Sequence, residues 1–111
     1  MGAAFQASLT ASALKLLQRT KVPIAITCHD QRRLKWSGRS RDFSADFYIL
    51  NELHQDTAAF DMAFGAAKGL SRPKRESASR WISGPGVYRL EVWSQSIRLP
   101  EGSVLTMLEV V

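Results

Sequence analysis

The sequence predicts an α+β fold in which helices cover an antiparallel sheet of about five strands. Three stretches carry that reading. From Ser8 to Ser37 an amphipathic helix runs into an apolar strand, which turns into a basic, tryptophan-bearing one. From Phe60 to Ala67 apolar residues recur at helical spacing. From Val87 to Val111 branched and aromatic residues form two runs around a turn.

A chain of 111 residues with 45% hydrophobic content supports one core and is short for two. The expected division is an N-terminal helical segment over 1–20 and one domain over 21–111. Charged residues make up 23% and apolar ones are spread along the chain, which excludes a disordered or fibrous class. Cys28 is the only cysteine, so an internal disulfide is excluded and a cysteine-rich zinc site has no start. That usage suits a reducing compartment. No apolar run approaches the roughly 20 residues that cross a bilayer. Met1 to Ala7 has neither the basic start nor the long apolar stretch of a secretory signal. The expectation is a cytoplasmic protein without a membrane partner.

Ser8 is placed to cap a helix whose Leu9, Ala13, Leu16 and Leu17 share a face, and whose end near Arg19 carries positive charge. Pro23 stops the helix and begins a strand. There Val22, Ile24, Ile26 and Cys28 alternate with Pro23, Ala25 and Thr27. His29 to Arg32 reads as a tight turn. The returning strand sets Leu34 and Trp36 against Arg33, Lys35 and Ser37. A basic loop with Phe43 turned inward follows, then a short strand within Phe47 to Leu50.

Asp56 or Thr57 can cap the helix bearing Phe60, Ala63, Phe64 and Ala67, with Gly69 as its stop and both phenylalanines in the core. Gly65 inside it costs about 1 kcal/mol of helix propensity. Ser71 to Ser79 reads as a charged, solvated loop, and Ser79 to Ile82 as an added strand before the turn at Gly84, Pro85 and Gly86. The last hairpin pairs Val87–Arg98 with Ser103–Val111 around Leu99, Pro100, Glu101 and Gly102. Its inward set shifts from Tyr88, Leu90 and Val92 to Trp93 and Ile97, which predicts a bulge within Val92 to Gln95. The largely apolar Leu105–Val111 reads as a central strand.

Chemistry-bearing patterns are few. His29 and His54 lie in no HExxH, and the neighbours Cys28 and His29 would face opposite ways along a strand, so no metal site is expected. There is no GxSxG, no phosphate-binding glycine loop, and no carboxylate pair at helical spacing in an apolar setting. No catalytic residue and no cofactor is assigned. Arg32, Arg33, Lys35, Arg39 and Arg41 form an acid-free group, and such groups either solvate a surface or contact phosphates. Lys68, Arg72, Lys74, Arg75 and Arg80 form a second group, diluted by Glu76.

The run Ser8-Leu9-Thr10-Ala11-Ser12-Ala13-Leu14-Lys15-Leu16-Leu17, then Val22-Pro23-Ile24-Ala25-Ile26 and Arg33-Leu34-Lys35-Trp36-Ser37-Gly38-Arg39-Ser40, resembles the C-terminal region of ImmA/IrrE-type zinc metallopeptidases. Trp81-Ile82, Ser94-Gln95-Ser96-Ile97 and Val104-Leu105-Thr106-Met107-Leu108 resemble later parts of the same region. The similarity spans nearly the whole chain, and its motifs are mostly structural. It implies a GAF/PAS-like sensor fold preceded by a helix. It also implies a bacterial regulatory role in stress responses, where the family's peptidase cleaves a transcriptional repressor. The family's HExxH is absent here, so the resemblance implies the non-catalytic half, with a peptidase domain on the parent or a neighbouring chain.

Two functional classes follow. In the first, a small ligand or protein partner meets the face between the sheet and the helix over 57–68, with Trp36, Phe60, Phe64, Trp81 and Trp93 as candidate lining. In the second, Arg32, Arg33, Lys35, Arg39 and Arg41 contact DNA or another nucleic acid. A homodimer formed through the first helix or an open sheet edge is the third arrangement the sequence leaves open.

Overall fold

In a computed structural model, residues 15, 17–19, 22–64, 71–99 and 101–111 are described. Seven strands are assigned among them: β1 (Ile24–Asp30), β2 (Arg33–Arg39), β3 (Tyr48–Ile49), β4 (Lys74–Ser77), β5 (Ile82–Ser83), β6 (Glu91–Arg98) and β7 (Val104–Val110). A helix, α1 (Ala58–Phe64), and two 3-10 turns, Ala78–Arg80 and Val87–Arg89, are also assigned among the described residues. Five strands form an antiparallel sheet in the order β2-β1-β7-β6-β4, and β3 pairs with β5 apart from it. The fold is α+β. The expected helix over Ser8 to Arg19 lies mostly outside the described residues; Lys15 and Leu17 to Arg19 are helical.

Alternation along β1 gives the sheet two apolar faces. Ala25 joins Val92, Val104 and Leu108 on an inner face, under Ala59 and Met62 of α1 and under Trp81, Ile82 and Val87. Ile24 and Ile26 point the other way and pack with Leu17, Trp36 and Leu105. β7 is the central strand, as its apolar composition requires. Pro23 stands just before β1, where its missing N–H costs no ladder bond, and its carbonyl accepts from Val110.

Several expectations are corrected. β1 continues through His29 to Asp30 because His29 pairs with Val104 on one side and Leu34 on the other, so the turn is confined to Gln31 and Arg32. The bulge lies between β1 and β2, where Lys35 is skipped between the Cys28–Trp36 and His29–Leu34 pairs. Leu34 and Trp36 therefore oppose residues of different faces. The β6–β7 ladder instead runs unbroken from Val92 to Arg98. Its inner face carries Ser94 and Ser96, whereas the expected bulge assumed that every inward residue is apolar.

The segment expected as a loop after Ser71 contains β4, an edge strand held by backbone pairing to β6 and by the Arg75–Glu91 ion pair at 3.2 Å. Ala78–Arg80 is a 3-10 turn, leaving only Ile82–Ser83 as strand. β6 starts at Glu91, because the left-handed Gly86 (φ 72°) leads into the turn that buries Val87 and leaves Tyr88 exposed. Thr57 caps α1 by accepting from Phe60 N–H at 3.2 Å. The helix buries a different stripe from the expected one. Ala59 and Met62 face the sheet, Phe60 is half-buried, and Phe64 is 53% exposed.

Candidate functional site

The five candidate aromatics do not share one pocket. Trp81 is buried in the inner layer, its ring edge-on to His29 with centroids 6.1 Å apart. Phe60 packs at the margin of that layer, tilted against Phe64 at 4.7 Å, with the Arg32 guanidinium 5.9 Å from its centroid. Trp36 and Trp93 stand on the opposite face of the sheet. Trp36 packs over Ile24 and Ile26, and Trp93, 42% exposed, lines an open groove with Pro73, Met107 and Glu109. Sequence spacing identifies each ring as a packing residue but not the face it serves.

A band of polar side chains crosses the inner face where a hydrophobic core would be expected. Thr27, Thr106 and Ser96 lie in register across β1, β7 and β6, and all three are buried. The Ser96 and Thr106 hydroxyls bond each other at 2.7 Å. Farther along β6, Ser94 donates to Glu76 Oε2 at 2.6 Å, and the other Glu76 oxygen is 3.6 Å from Arg80, an ion pair beyond hydrogen-bond range. The remaining members are unmatched. Thr27 Oγ1, His29 Nδ1 and Trp81 Nε1 are buried with no hydrogen-bond partner among the described residues. Each such group costs about 1–3 kcal/mol.

Two titratable groups sit on β1 with opposite aspects. Burial alone lowers the His29 pKa from its ordinary 6.5 to about 4, so the imidazole is neutral at physiological pH. Cys28 points to the other face, where burial pushes the thiol up against smaller opposing contributions from the Ser103 side chain and Lys35. A raised thiol is a poor nucleophile. His29, expected in an exposed turn, is the residue that sequence reasoning misplaced. The available signal was its position two residues after Thr27, in phase with the inner face.

The basic group is divided by the fold. Arg32 pairs with Glu52 at 3.4 Å. Arg39 donates to the carbonyls of Ser44 at 3.2 Å and Phe47 at 2.8 Å, and lies over the Phe43 ring at 5.4 Å. Arg33, Lys35 and Arg41 are exposed and make no ion pair among the described residues. A groove of about 400 Å³ between the helical residues Leu17 and Gln18 and the end of β2 is lined by Gly38, Arg39 and Arg41.

Among the described residues, no three His, Cys, Asp or Glu side chains gather in a metal-binding group, and no helix is long and apolar enough to cross a membrane. No protein-family model and no curated protein matches this chain.

Proposed function

We propose that this chain is a non-catalytic sensor domain that takes a small polar molecule between its sheet and the layer carrying Trp81. The observation that carries the reading is the set of three buried atoms with unused hydrogen-bonding capacity: Thr27 Oγ1, His29 Nδ1 and Trp81 Nε1. They offer an indole donor, a hydroxyl that can donate or accept, and one nitrogen of a neutral imidazole. A guest with both donor and acceptor groups would satisfy all three. The layer above them is thin: α1 has seven residues and β3 and β5 two each, so few contacts must part to admit a guest. In this reading the domain is GAF/PAS-like and regulatory, as its resemblance to the C-terminal region of ImmA/IrrE-type metallopeptidases implies.

A guest that binds only the folded state stabilises it by about 2.7 kcal/mol at a hundredfold excess over Kd. Thermal unfolding against a panel of small polar probes (imidazole, urea, nucleobases and short carboxylates) therefore tests the reading. At least one probe class should raise the midpoint in the native sequence, and Thr27→Val and Trp81→Phe should each diminish that rise. A flat response across the panel, or a rise untouched by both substitutions, defeats the proposal.

A further inference from the structure

We infer that the β2 edge of the sheet binds single-stranded nucleic acid. The first observation is how the charge is divided. Residues 15–41 hold eight of the fifteen basic residues and one of the ten acids, so this stretch carries a formal +7 and the remainder of the chain −2. Among the described residues, the fold brings much of that stretch to one side: β2 is the outermost strand of the sheet, with residues 51–53 bonded to its start, β1 lies beside it, and helical Leu17 packs on Ile24 and Ile26. That edge also carries Glu52, which is bridged to Arg33 and paired with Arg32, so the cations it leaves without an ion pair among the described residues are Arg33, Lys35 and Arg41.

The second observation is an aromatic that sequence distance hid. Arg39 reaches the carbonyl of Phe47 at 2.8 Å, which ties the start of β3 to this edge. Tyr48, the next residue, is 67% exposed. Exposed cations along β2 and an exposed ring one residue beyond the Arg39–Phe47 contact supply the two elements of single-strand recognition, backbone neutralisation and base stacking. A lipid surface or an acidic protein could use both the charge and the ring, so the proposal commits to the flexible polyanion that can follow the edge, and vesicle binding is made an outcome of the test. The groove lined by Leu17, Gln18, Gly38 and Arg41 lies at the same end of β2 on the outer face, so a strand that uses both it and Tyr48 must pass over the β2 edge. Arg33, Lys35 and Arg41 supply free charge, and Arg39 positions the Tyr48 segment.

Fluorescence anisotropy with a labelled oligothymidylate of about 12 nucleotides reads the binding directly. With about four phosphates neutralised, affinity should fall roughly 50-fold between 50 and 200 mM salt. The triple variant Arg33→Glu, Lys35→Glu, Arg41→Glu should lose at least about 20-fold. The matched variant Arg72→Glu, Lys74→Glu, Arg89→Glu, with the same change in net charge, should stay within about threefold. Tyr48→Ala should cost roughly tenfold, the value of one stacked base. Urea midpoints of all variants should remain near that of the parent, since the substituted side chains are exposed. The inference is overturned by equal losses in the two triple variants, by duplex DNA or anionic phospholipid vesicles binding as tightly as the oligonucleotide, or by a Tyr48→Ala variant that binds unchanged. It is also overturned if binding is undetectable at low salt, which would leave the basic edge only the task of keeping β2 from pairing with other strands.

Discussion

Acidification should destabilise this fold through His29, and the effect can be isolated. Its folded pKa is about 4 and its ordinary value 6.5, with burial as the cause. Between those values the unfolded chain binds a proton that the folded chain excludes. Stability therefore rises with pH through that window: the contribution is intact above pH 6.5 and is lost as pH falls towards 4. At about 1.4 kcal/mol for each pH unit, full protonation costs the fold about 3 kcal/mol, and about 2 kcal/mol of it is felt between pH 7 and pH 5. His29→Leu removes the titrating group while keeping an apolar side chain against Trp81. Urea unfolding at the two pH values, followed by tryptophan fluorescence, should show the parent losing about 2 kcal/mol more than the variant. With a slope of about 1–2 kcal/mol per molar, that is a midpoint difference of about 1–2 M. Carboxylate titration acts on both proteins and cancels. Parallel losses would mean that His29 is hydrated and titrates as it does in the unfolded chain, and the argument for a sealed inner layer would fail with it.

Four further substitutions test the packing. Ser40→Ala should cost about 1–3 kcal/mol in chemical denaturation, because the buried Ser40 hydroxyl accepts from Ile24 N–H at 2.9 Å and donates to the Val22 carbonyl at 2.7 Å. Gly84→Ala should cost about 2–3 kcal/mol: a Cβ would stand 2.8 Å from both the Asp46 carbonyl oxygen and Phe47 Cδ1, at a φ of +155°. A thermal midpoint unchanged by this substitution would contradict the close approach of the two segments. Glu76→Ala should lose about 2–3 kcal/mol and loosen β4, detectable as faster amide exchange over 74–77, since Ser94 and Arg80 both lose their carboxylate partner. Thr27→Val should be neutral or raise stability by about 1 kcal/mol in the free protein, because it removes an unmatched buried hydroxyl; a large loss would mean the hydroxyl is already satisfied.

Much of the sheet is legible in the sequence because its strands obey simple alternation. β1 shows Ile24, Ile26 and Cys28 in one phase, and the runs on either side of Leu99 to Gly102 declare the final hairpin. The legible part ends where inward no longer means apolar. Ser94, Ser96, Thr106, Thr27 and His29 all face inward, so a hydrophobic phase analysis moves the register of β6 and turns His29 out into a loop. β4 was hidden for a related reason: a strand of Lys74, Arg75, Glu76 and Ser77 has no apolar signature, and only its pairing with β6 defines it. On α1 the stripes Ala59–Met62 and Phe60–Phe64 both satisfy helical spacing, and the larger rings drew the assignment that the smaller residues held. The basic group was legible as a group. That Arg32 and Arg39 are engaged, the latter with the residue before Tyr48, depends on contacts across 20 and 8 residues of chain.

The two proposed surfaces meet in one ladder. The β1–β2 bulge skips Lys35 of the basic edge between the pairs made by Cys28 and His29. A bulge is a local break in pairing that can change its twist at lower cost than the continuous ladder on either side. A guest that draws His29 toward Trp81 would strain the bulge and re-aim Lys35, and an oligonucleotide that holds Lys35 would bias His29 in return. Linkage requires the two effects to be equal in free energy. If one of the small probes is found to bind the inner layer, its affinity should change by the same factor when the oligonucleotide is saturating as the oligonucleotide's does when the probe is. Deleting Lys35, which makes the β1–β2 ladder regular, should remove that factor while leaving the inner site able to bind, and Lys35→Arg, which keeps both the bulge and the charge, should preserve it. Two independent affinities in the parent protein would instead mean that the sheet insulates its interior from its edge.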